Sequence, residues 1–121
     1  MPVAEIFVDF TVDCAHALPH VPEGHKCRNV HGHTYRIRIV LEDSLHPELG
    51  WVRDFADIKG AFAPIKQTID HKYLNDIPGL ENPTAENLAV WIWNRMLPQL
   101  DALKEVCVFE TPMSGVAYRG E

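Results

Sequence analysis

The chain has 121 residues, of which 46% are hydrophobic and 23% charged, with 11 Lys plus Arg against 17 Asp plus Glu. That length fits one domain over 1–121, because two separate cores would each be marginal. The formal net charge of −6 excludes a broad cationic surface for nucleic acid. No run reaches the ~18 apolar residues that a membrane span needs. Met1-Pro2-Val3-Ala4-Glu5 also lacks a cationic start before an apolar core, so the expected location is cytoplasmic, with neither nucleic acid nor membrane as partner.

Residues 5–17 alternate in polarity. Ile6, Val8, Phe10, Val12, Cys14 and His16 share one parity, and Glu5, Asp9, Thr11 and Asp13 the other, which predicts a half-buried strand. Residues 18–29 are rich in breakers and read as a loop. A second strand is predicted over 31–42, with His31, His33, Tyr35, Ile37, Ile39 and Leu41 on one face and Arg36 and Arg38 on the other. From Phe55 the period changes: Ile58, Phe62, Ile65 and Ile69 follow at three and four residues, predicting an amphipathic helix that Pro64 should kink. Asp70 to Pro83 reads as loop. A second helix opens at Thr84, a suitable N-cap, and runs to about Leu97 before Pro98. Two short strands, Val106–Thr111 and Gly115–Arg119, close the chain. The β-β-α-α-β-β order predicts an α+β fold, a four-stranded antiparallel sheet with two helices on one face. Its open edges favour oligomerisation.

Seven histidines are present, five of them between His16 and His33. His31 and His33 are two apart in a strand, so they project from one face with α-carbons roughly 7 Å apart. Gly32 between them removes a side chain and lets the backbone bend. A hairpin across the 18–29 loop returns His16 beside the pair. Three imidazoles without a fourth protein ligand suit an open Zn²⁺ site, although iron, cobalt and nickel accept the same ligands.

Three cysteines cannot all pair within one chain, and there is no Cys-x-x-Cys. Cys27 lies among His25, Lys26 and Arg28, cations that favour a thiolate able to act as base or nucleophile. A fourth zinc ligand and a small inert residue are the other readings of Cys27. Asp70-His71 is either a carboxylate-oriented imidazole or a histidine at a helix C-terminus. Glu110 shares parity with Val106 and Val108, so its carboxylate either meets a cationic or hydrogen-bond-donating partner or sits at an open edge. Thr111 adds a hydroxyl beside it.

Together, His16, Cys27-x-x-x-His31-Gly32-His33, Asp70-His71-Lys72-Tyr73-Leu74-Asn75, Pro83-Thr84-Ala85-Glu86-Asn87 and Glu110-Thr111 resemble the 6-pyruvoyltetrahydropterin synthase / 6-carboxytetrahydropterin synthase family. The three residues between Cys27 and His31 are similar to the bacterial 6-carboxy branch of the queuosine precursor pathway. The resemblance implies that His16, His31 and His33 bind Zn²⁺ and that Cys27 is the catalytic proton acceptor, with Asp70 and His71 as its relay. Glu110 would accept hydrogen bonds from the pterin ring. It also implies the tunnelling fold, in which sheets join into a barrel and two trimers stack as a hexamer with active sites at subunit interfaces. The implied substrate is 7,8-dihydroneopterin triphosphate, cleaved to 6-carboxytetrahydropterin, acetaldehyde and triphosphate. By charge, His25, Lys26 and Arg28 are the candidates for the triphosphate. The alternatives are a pyruvoyl-type or sepiapterin-processing enzyme and, from another class, a non-catalytic zinc-stabilised binding module.

Overall fold

The computed structural model describes residues 1–121. Strand β1 (Val3–His16) and strand β2 (His31–Ser44) form a long antiparallel hairpin, as their alternation predicts. Helix α1 (Phe55–Ile69) follows, then a two-residue strand β3 (Lys72–Tyr73), helix α2 (Ala85–Met96) and strands β4 (Leu103–Thr111) and β5 (Ser114–Tyr118). The sheet order is β3-β1-β2-β4-β5. The sheet thus has five strands where the sequence predicts four. The extra one, β3, runs parallel to β1 and pairs only with Cys14 and Ala15. Two residues are too short to show a period of two, so tertiary placement alone makes this strand. The stretch predicted as loop also holds a single 3-10 turn at Leu74–Asp76, and Leu74, Ile77 and Leu80 are buried there.

Both helices cover one face of the sheet, α1 against β1 and α2 against β4 and β5. The alternating apolar residues turn inward: Val12, Tyr35, Ile37, Ile39, Leu41, Val106 and Val108 meet Ile58, Phe62, Ile65, Leu88 and Ile92 in one cluster. Phe10 stacks on Phe62 with ring centroids 4.1 Å apart. Pro64 lies inside α1 without interrupting it. Asp54 and Thr84 cap the two helices with side-chain oxygens that accept from Ala56 and Asn87 amides. On the opposite face Asp9 binds Arg36 and Arg38, whose guanidinium groups lie over Phe109 and Phe7. No helix is long and apolar enough to cross a membrane.

Candidate functional site

The β1–β2 register sets the site. His16 pairs directly with His31, and Cys14 with His33, so three imidazoles gather at the loop end of the hairpin. Their ring centroids are 4.5 Å (His16–His31), 5.0 Å (His16–His33) and 5.0 Å (His31–His33) apart. One ring nitrogen from each lies within 4.8 Å of the others. The ladder runs unbroken through Gly32, and a Cβ there would meet only the Cys14 carbonyl at 3.5 Å, an ordinary contact. Packing therefore does not demand glycine at 32.

Two of the rings are oriented by main-chain carbonyls. His16 Nδ1 bonds the Pro83 carbonyl at 2.7 Å, and His31 Nδ1 bonds the Asn29 carbonyl at 2.7 Å. A carbonyl only accepts, so Nδ1 carries the proton in both rings and Nε2 keeps its lone pair. Such outer contacts fix ligand histidines at metal sites. The donor set fits a borderline divalent ion such as Zn²⁺. Asn75 holds the end of β1 beside His16, accepting from the Ala17 amide and donating to the Ala17 carbonyl. Spacing reveals neither role, because Pro83 acts through its own carbonyl and Asn75 through its side-chain amide on the Ala17 main chain, groups brought together only by the fold.

His16 is the one buried polar residue, at 1% exposure. Burial lowers its pKa from the usual 6.5, and the Pro83 bond offsets only part of that. A folded value below the unfolded one gives stability that is present above about pH 6.5 and lost as pH falls through the folded value. Metal-free protein should therefore show a falling urea midpoint between pH 7.5 and 5, and His16→Gln should flatten that slope. An equally steep slope in the variant would assign the acid sensitivity elsewhere.

His16, His31 and His33 open into a cleft of about 600 Å³, also lined by Leu18, Lys26, Cys27, Glu110 and Thr111. Cys27 is half-buried in a 3-10 turn, Lys26–Arg28, that His25 Nδ1 caps by accepting the Cys27 amide. Arg28 donates to the Val21 carbonyl and ties the loop to itself. Of the three cationic candidates, Lys26 alone lines the cleft; the structure engages His25 and Arg28 in the loop's own hydrogen bonds. Glu110 lines the cleft on the parity of Val106 and Val108, and the β4–β5 register shifts between Phe109 and Thr111, leaving it as an extra residue on β4. Gly115 makes this bulge possible: a Cβ there would come within 2.8 Å of the Val108 carbonyl and 2.6 Å of the Phe109 ring.

Asp70 and His71 line no part of this cleft. His71 sits in an adjoining recess with Asp13, Thr34, Lys72 and Tyr73, and Gly32 and His33 line both this recess and the cleft. Asp70 Oδ1 lies 3.1 Å from His71 Nδ1 and accepts the Asp13 amide at 2.9 Å. Those bonds, the Asp13 amide first, hold the Asp70 carboxyl below its ordinary pKa. His71 adopts φ 59°, a left-handed conformation costing a non-glycine residue roughly 1–2 kcal/mol. Its amide donates to the Asp13 carbonyl at 2.6 Å, which pins that conformation.

Fold and cleft together describe an α+β protein whose polar recess suits a metal ion and a small ligand. The chain belongs to the 6-pyruvoyl tetrahydropterin synthase family, whose model matches residues 5–121. It is 42% identical over 119 residues to the 6-carboxy-5,6,7,8-tetrahydropterin synthase of Synechocystis, covering 93% of this chain and 91% of that one. With the 6-pyruvoyl tetrahydrobiopterin synthase of Dictyostelium discoideum it shares 36% identity over 101 residues, 79% of this chain and 75% of the relative. The solved 6-pyruvoyl tetrahydropterin synthase of Caenorhabditis elegans superposes with a TM-score of 0.92 at 26% identity, covering 100% of this chain and 98% of that one.

Proposed function

We propose that this chain is a zinc-dependent 6-carboxytetrahydropterin synthase. With one water consumed, it would convert 7,8-dihydroneopterin triphosphate to 6-carboxytetrahydropterin, releasing acetaldehyde and triphosphate, on the route to queuosine and other 7-deazaguanines. The setting is the cytoplasm, and 1–121 works as one domain. One observation carries the reading: three imidazoles, a thiol and a carboxylate share one cleft. Similarity to the Synechocystis synthase favours the carboxy product.

His16, His31 and His33 are the residues to hold Zn²⁺, which when bound acidifies a coordinated hydroxyl. The Cys27 thiolate takes a proton from the substrate side chain. His71, oriented by Asp70, serves as the matching acid or base. Glu110 accepts hydrogen bonds from the pterin amino and ring N–H groups, with Thr111 beside it, and Lys26 faces the phosphates. Cys27 and His71 line adjoining recesses that have His33 in common, and the relay for a given Cys27 would be supplied by a neighbouring copy. Open edges support this assembly: β3 covers only Cys14 and Ala15 of β1, and β5 has no outer neighbour. The sheets then join into a barrel, and two trimers stack as a hexamer.

Glu110→Gln places an amide donor against pterin donors while keeping the shape. Losing a pair of charge-assisted bonds should weaken pterin binding by roughly 2–4 kcal/mol, at ~1.5–3 per bond. Calorimetry on the Cys27→Ala background measures this without turnover, and zinc content should stay unchanged. Equal affinity would remove Glu110 from the pterin site.

The reading itself is tested by incubation with 7,8-dihydroneopterin triphosphate and mass spectrometry of the pterin. A 6-carboxy product with one equivalent of acetaldehyde supports it. A pterin that keeps its three-carbon side chain moves the chain to the pyruvoyl-type reading that similarity to the Dictyostelium protein favours.

A further inference from the structure

Asp13 and Thr34 lie outside the cleft, at the junction that fixes His71. They are directly opposed in the β1–β2 ladder. Both main-chain groups of Asp13 point away from β2: the amide donates to Asp70 Oδ1 and the carbonyl accepts from His71. The Asp13–Thr34 pair is therefore of the non-hydrogen-bonded kind, where side chains approach more closely. The Thr34 hydroxyl donates to Asp13 Oδ1 and anchors that carboxylate. One ligand atom each from Asp13, Asp70 and His71 then lies within 4.8 Å of the other two.

This arrangement exceeds what the His71 backbone requires. The main chain of Asp13 already pins the left-handed turn, and any residue at 13 could supply it. We propose that the Asp13 side chain, anchored by Thr34, is a positioning residue for the Asp70–His71 pair, keeping Nδ1 toward Asp70 and Nε2 turned into the recess. This rests on the function proposed above, in which His71 handles a proton.

The test compares Asp13→Ala, Asp13→Asn and Thr34→Val in zinc-loaded protein. Ring ¹H–¹⁵N spectra report the His71 tautomer without any turnover, and steady-state kinetics with 7,8-dihydroneopterin triphosphate report kcat and KM separately. Wild type should hold the neutral ring in one tautomer, protonated at Nδ1. Asp13→Ala and Thr34→Val should mix the tautomers and lower kcat by about 10- to 10²-fold with KM unchanged, the scale of a small misplacement. Asp13→Asn keeps the acceptor for Thr34 and should restore most of kcat. If Asp13→Ala does not fold, Thr34→Val carries the comparison, since it leaves both carboxylates in place. An unchanged tautomer, or an unchanged kcat where wild type turns over, overturns the inference. Absence of wild-type turnover would sink the proposed reaction instead, with the ring spectra still deciding the role of Asp13.

Discussion

Cys27→Ala is expected to lower turnover by about 10²–10⁴-fold, the range for loss of a general acid–base group, while zinc content and pterin affinity hold. The geometry motivates the split. Cys27 lines the same cleft as the three imidazoles, yet the ring nitrogens of His16, His31 and His33 already form a mutual cluster without it. A thiolate that moves a proton can be deleted without emptying a three-nitrogen site, and its amide bond to His25 survives in alanine. Metal analysis and calorimetry beside a product assay check all three quantities. Loss of zinc with the thiol would favour a closed structural site, in which Cys27 is the fourth ligand.

The double substitution His31→Ala/His33→Ala is expected to abolish both zinc binding and activity and to leave the fold standing. Zinc should fall from about one per chain, as a single three-histidine site requires, to background. Neither ring belongs to the core: both are half-buried, whereas Tyr35, Ile37 and Ile39 further along β2 carry the packing. Circular dichroism and metal analysis on the same sample separate the outcomes. Unfolding on metal loss would point to the zinc-stabilised binding module. Full zinc occupancy in the variant would remove the ligand assignment.

The sequence makes legible whatever is written as periodicity. Alternation from Ile6 to His16 and from His31 to Leu41 yields the hairpin, and with it the convergence of the three histidines, since register alone aligns His16 with His31. Spacing of Ile58, Phe62, Ile65 and Ile69 yields α1. What stays hidden has no local signature. Strand β3 exists because the chain after α1 lies against Cys14 and Ala15, a parallel pairing between residues nearly sixty positions apart. The same approach carries Asp70 and His71 to Asp13 and away from Cys27, a separation that chain order does not express. Glu110 lines the cleft on the parity it shares with Val106 and Val108, but the bulge beside it is not legible, and the residue that permits it, Gly115, reads in the sequence only as part of a short strand. Counting charge near Cys27 likewise groups His25, Lys26 and Arg28, although the loop's hydrogen bonds give them different employment.

On the proposed function, three imidazoles hold one metal ion and leave a position open for the substrate. Anomalous diffraction at the zinc edge, on crystals of the protein as purified, tests it most directly. One peak per chain is expected, bonded to one nitrogen each of His16, His31 and His33 at about 2.0–2.1 Å, with Cys27 Sγ outside bonding range. A peak with Cys27 Sγ at about 2.3 Å, or no peak among the three rings, would contradict it.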